Sequence, residues 1–82
     1  MLRARQVAEK ERVREAILDG VPETGISRQE LLKALSEQLG ASIGRTYLES
    51  AMDDCLRELV HEGQVEKWKL GRESYYRLAK AA

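Results

Sequence analysis

Apolar residues recur at helical spacing along most of this chain, then at a period of two near its C-terminus. Val13, Ala16 and Ile17, with Leu18 beside them, make the inward stripe of a first helix expected from about Arg3 to Asp19. Gly20 and Pro22 end it. Residues 1–12 are polar nearly all round apart from Leu2, Val7 and small alanines, the pattern of a helical extension that docks on something else or frays. Breakers fill the loop GVPETG, and Thr24-Gly25-Ile26 is expected as a very short strand. Ser27-Arg28-Gln29-Glu30 has the form of a capping box, the serine hydroxyl accepting from the amide three residues on. Leu31, Leu32, Leu35 and Leu39 form the apolar face of the second helix, and Gly40 is its stop. Thr46-Tyr47-Leu48-Glu49 predicts another capping box. It opens a third helix with apolar positions Leu48, Ala51, Met52, Cys55, Leu56 and Leu59, closed by Gly63.

The period then changes. QVEKWKL and ESYYRLA flank Gly71-Arg72, a two-residue loop of the type II′ kind, and predict a β-hairpin. This register sets Leu70 opposite Glu73, Lys69 opposite Ser74, Trp68 opposite Tyr75, Lys67 opposite Tyr76, Glu66 opposite Arg77 and Val65 opposite Leu78. One face collects Val65, Leu78, Lys67 and Tyr76. The other carries an aromatic pair, Trp68 and Tyr75, beside an opposite-charge pair, Glu66 and Arg77. A slip of one residue removes all of these pairings.

With 82 residues the chain fits one domain, 1–82, of which 1–12 is the helical extension. A chain this short buries roughly 60–65% of its unfolded surface, so nearly every apolar residue must serve one core. Its composition, 43% hydrophobic, is too apolar for a disordered chain, yet no apolar run approaches the ~20 residues that span a bilayer. The N-terminal stretch lacks the apolar run of a signal peptide, and one cysteine makes no internal disulfide. A cytoplasmic location is expected. The net charge of zero argues against an indiscriminate coat for polyanions, but the charge is unevenly spread. Lys67, Lys69, Arg72, Arg77 and Lys80 make the C-terminal segment positive, whereas Glu49, Asp53, Asp54, Glu58 and Glu62 make the preceding segment negative.

Two capped helices joined by a short glycine-containing turn are the sequence form of a helix-turn-helix. The whole order resembles the winged helix-turn-helix superfamily of small prokaryotic regulators. Ile26-Ser27-Arg28-Gln29-Glu30-Leu31-Leu32 carries the resemblance, with Leu56-Arg57-Glu58-Leu59-Val60-His61-Glu62-Gly63-Gln64-Val65 as a helix-to-wing junction. Tyr75-Tyr76-Arg77-Leu78 is similar to the tyrosine-rich strand of PadR-like and MarR-like proteins. The implied fold is mainly α with a small antiparallel hairpin: three helices plus a wing. The implied function is duplex DNA binding in transcriptional regulation, with the third helix in the major groove and the wing on the backbone.

Carried over by position, Arg45, Thr46 and Ser50 would meet the groove, and Lys67, Lys69 and Arg72 would meet phosphates. Arginine suits guanine edges or phosphate, and hydroxyls suit phosphate, although Thr46 also serves simply as a helix cap. The lysines have a second reading as edge-strand protection, and the stem of Lys67 as cover for Tyr76. Glu49, Asp53 and Asp54 fall on or near the same helix face, where acids oppose phosphates unless they accept from a cytosine amine. This departure keeps an alternative open: a winged-helix protein-interaction adaptor using Glu49 and Asp53 with a Trp68/Tyr75 surface. Trp68 and Tyr75 have the further reading of closing the sheet. Arg3, Arg5, Lys10, Arg12 and Arg14 decorate the first helix, which either frays or builds a homodimer through Leu2, Val7 and the alanines. Cys55 reads as a buried, inert thiol, and His61 as a solvated residue near a helix end. No nucleophile–base pair, opposed carboxylates, phosphate loop or metal spacing occurs, so an enzyme, a metal, a cofactor or a small-molecule effector is not expected.

Overall fold

In the computed structural model the chain runs α1 (Leu2–Gly20), β1 (Ile26–Ser27), α2 (Arg28–Leu39), α3 (Arg45–His61), β2 (Val65–Leu70) and β3 (Glu73–Leu78). Residues 2–41 and 43–79 are described, with side chains from residue 8 onward except at position 42. The architecture is mainly helical, completed by a small three-stranded antiparallel sheet of order β1-β3-β2. Among the described residues, no helix is long and apolar enough to cross a membrane.

The helical stripes meet in one cluster. Val13, Ala16 and Ile17 of α1 join Leu31, Leu35 and Leu39 of α2 and Leu48, Met52, Cys55, Leu56 and Leu59 of α3, all buried. Val65 and Tyr76 close the cluster from the sheet. Truncating one such leucine to alanine typically costs about 2–5 kcal/mol, a large share of the stability of any small domain.

Local signals account for most boundaries. Ser27 caps α2, its hydroxyl accepting from the Glu30 amide at 3.1 Å. Past α3, Gly63 adopts φ 81°, and the amides of Gly63 and Gln64 donate to Val60 and Leu59 at 3.1 and 2.9 Å. That is the Schellman arrangement, and the left-handed φ explains the glycine. Gly71 also has positive φ, 64°, whereas no described non-glycine residue does. With Arg72 at negative φ, the turn is type II′. All six expected cross-strand pairs of the hairpin are present.

Three expectations shift. The short strand is Ile26–Ser27 rather than Thr24–Ile26, because it pairs with Tyr76 and Tyr75 of β3, and this adds a third strand to the hairpin. Gly40 follows α2 with an ordinary helical φ of −61°, its amide bonded to Ser36, so no left-handed stop occurs there. Thr46 does not cap α3. The N-cap is Gly44, whose carbonyl accepts from Leu48 at 2.8 Å, and Thr46 sits within the first turn. Ile43 and Leu48 are both buried at the two positions of a hydrophobic staple, which fixes where α3 begins.

Candidate nucleic-acid interface

The first turns of α3 present Arg45, Thr46, Glu49, Ser50 and Asp53 around one shallow hollow. Helical spacing puts them there: the i, i+4 and i, i+3 steps from Arg45 run down the face opposite Leu48, Met52 and Leu56. The acids on this face are not left to solvent. Arg28, the first residue of α2, donates Nε to Asp53 Oδ1 at 2.9 Å and Nη2 to Asp53 Oδ2 at 2.8 Å. The same Nη2 reaches Glu49 Oε1 at 3.3 Å. Hydrogen bonding to Asp53 raises the Arg28 pKa further, so the guanidinium stays charged at any working pH. One cation thus compensates one of the two carboxylates outright and touches the other.

Asp53 also borders a second hollow, formed by Arg28, Leu56, Arg57, Val60, Lys67, Ser74 and Tyr76. The two hollows thus adjoin at Asp53. Alternation along β2 places Lys67 and Lys69 on the face shared with buried Val65 and Tyr76, toward α3. The Lys67 ammonium lies 5.9 Å from the Tyr76 ring centroid. Lys69 stands exposed opposite Ser74, and Arg72 is exposed at the turn. Lys80 lies outside the described residues, as do the side chains of Arg3 and Arg5 and those of Leu2 and Val7, on which with the alanines a dimer would rest.

On the opposite face of the sheet, Trp68 and Tyr75 stack with centroids 5.7 Å apart and an interplanar angle of 18°. Arg77 pairs with Glu66 at 2.7 Å and lies 5.5 Å from the Trp68 ring centroid. Trp68 also covers the loop before β1. A Cβ on Gly25, itself at φ 107°, would stand 2.7 Å from the indole. Both rings are half-buried, and Leu70 next to them is 62% exposed. The Trp68/Tyr75 face and the acids of α3 thus lie on different sides of the sheet.

Elsewhere, α1 is pinned to α3 by Lys10–Glu58 at 2.9 Å and by Arg14, which donates to both Glu62 oxygens at 2.6 and 3.1 Å. Beneath them Cys55 is fully buried, its thiol 3.5 Å from the Lys10 carbonyl, and burial pushes its pKa up to about 11. His61 is exposed. Among the described residues no group of three or more His, Cys, Asp or Glu is placed to hold a metal.

The sequence pointed to Arg45, Thr46, Glu49, Ser50 and Asp53, which the fold gathers around one hollow, to Lys67, which lines the adjoining one, and to Lys69 and Arg72, which line neither. It did not point to Arg28, Arg57 or Ser74, which reach the site only through tertiary packing. No family model, curated protein or solved structure matches this chain.

Proposed function

We propose that this chain is a winged helix-turn-helix module that binds duplex DNA as a small transcriptional regulator in the cytoplasm. The N-terminal half of α3 enters the major groove, and the β2–β3 hairpin is the wing on the backbone. The observation that supports this reading is that the α3 hollow and the Lys67 groove share Asp53 in their linings, with that aspartate held by Arg28. Without Arg28, two carboxylates would oppose the phosphates. With it, Asp53 is neutralised and one negative charge, on Glu49, remains beside Arg45, Thr46 and Ser50, while Lys67, Lys69 and Arg72 supply the positive charge that meets phosphates. A homodimer would match the two-fold operators such modules use.

A second reading, a protein-interaction adaptor, draws on exposed Leu70 beside the Trp68–Tyr75 stack. Its two halves, the α3 acids and the aromatic face, do not form one surface, so the duplex reading is preferred. A mobility-shift assay against a library of genomic fragments tests the choice. Selective retention of a subset, weakened by Arg45→Ala, is expected. Equal or absent retention of all fragments would refute the regulator.

A further inference from the structure

A groove of about 370 Å³ separates the C-terminal half of α3 from β2 and β3, and its lining is not that of a solvated surface alone. Arg57 lines it from α3 and Lys67 from β2, and Ser74 of β3 adds a hydroxyl to the lining. Lys67 makes no ion pair with a described residue, and Arg57 only grazes exposed Asp54 at 4.0 Å. Asp53, the one acid in the lining, is already matched to Arg28 through two hydrogen bonds. Arg57 and Lys67 thus leave the groove with an excess of positive charge.

The floor supplies an independent observation. Tyr76 is 5% exposed and borders the groove, yet its hydroxyl hydrogen-bonds no described residue. Among the described residues no side-chain oxygen or nitrogen is both sealed from solvent and without a partner, so this hydroxyl opens onto the groove. Burial, and then the charge of Asp53, hold that phenol protonated, so it is a donor. A sheltered donor with no partner among the described residues suits an acceptor from outside, and the cations in the lining specify an anionic one.

Helix geometry decides which anion. Arg57 lies eleven residues beyond Thr46, roughly 16 Å along the α3 axis at 1.5 Å per residue. A major groove is only about 12 Å wide and 8.5 Å deep. With Thr46 among base edges, Arg57 lies at the rim, where phosphates run and bases do not.

We propose that this groove seats one backbone phosphate of the duplex, held by Arg57, Lys67, Ser74 and the Tyr76 hydroxyl. The seat rests on the duplex-binding reading and adds to it the point where the strand crosses between α3 and the wing.

The test uses the full chain and random-sequence duplex, titrated at several salt concentrations. Arg57→Ala is expected to reduce the slope of log K against log salt by about one unit. Tyr76→Phe keeps the buried ring, and so the fold, and is expected to weaken binding about tenfold on every sequence with the slope unchanged. If both variants bind as the wild type does, the seat is overturned while duplex binding stands. If the wild type binds no duplex, both ideas fall. Inorganic phosphate titrated alone separates the remaining source: saturation by it without duplex binding would mark a free-anion site and overturn the proposal.

Discussion

Arg28 and Asp53, 25 positions apart in the chain, face each other in a two-pronged hydrogen-bonded ion pair at 2.9 and 2.8 Å. The pair joins the start of α2 to the middle of α3 and settles the charge of the face on which both stand. Both side chains keep about a third of their exposure, 30% and 40%, so solvent screening limits the pair to the modest end of such interactions. Arg28→Ala is expected to cost about 1 kcal/mol in urea unfolding. The same change should lower duplex affinity about fivefold to tenfold, because Glu49 and Asp53 then confront phosphates uncompensated. Adding Asp53→Ala should recover most of the affinity. A double-mutant cycle with no coupling would show that the two residues act independently.

The two serine and threonine positions that look alike in the sequence should behave differently. Ser27→Ala removes the acceptor of the Glu30 amide and is expected to destabilise by about 1 kcal/mol. Thr46→Ala leaves the Gly44 cap untouched and should stay within about 0.5 kcal/mol in stability. Thermal melts of the two variants check this; equal losses would restore Thr46 as a cap.

Gly25→Ala meets two obstacles, a left-handed φ of 107° and an indole carbon 2.7 Å from the new methyl. A loss of roughly 1–3 kcal/mol is expected, the scale of a strained backbone plus a displaced ring. The chain has one tryptophan, so the emission of Trp68 should shift with it. An unchanged spectrum and melt would mean that the indole does not lie over this loop.

Cys55 is predicted to be inert in the folded chain, reacting with thiol reagents at pH 8 only as fast as the protein opens. Burial raises its pKa from 9.0 to about 11, so the folded state holds the proton more tightly than the unfolded one. The contribution to stability is therefore complete below about pH 9 and declines as pH rises toward 11. The difference between wild-type and Cys55→Ala stability curves isolates it. A difference independent of pH across that window would place the thiol in water.

Much of this architecture was legible because the signals were local. Gly71-Arg72 and the alternating positions on either side fixed all six hairpin pairs, since any slip would have exposed Val65 and Tyr76. The helical stripes from Val13 to Leu59 became the core for the same reason. The start of α3 is hard to place from sequence because two local signals compete there. Thr46-x-x-Glu49 has the form of a capping box, but burial of Ile43 with Leu48 begins the helix at Arg45. A short strand near Ile26 was legible, but its pairing with β3 and the Arg28–Asp53 pair had no local trace. Ile26 meets Tyr76 across 50 positions, and only the packed helices bring Arg28 to Asp53. The compensation of Asp53 by Arg28 is therefore visible only in the fold.

The most direct test of the central claim, that α3 and the hairpin together present cations to a polyanion, is the salt dependence of binding to random duplex. Wild-type protein should bind at low salt and release the duplex steeply as salt rises. The combined Lys67→Ala, Lys69→Ala, Arg72→Ala variant should show a slope shallower by about one unit for each phosphate it no longer neutralises. A flat dependence for the wild type, or no binding at low salt, would contradict the claim.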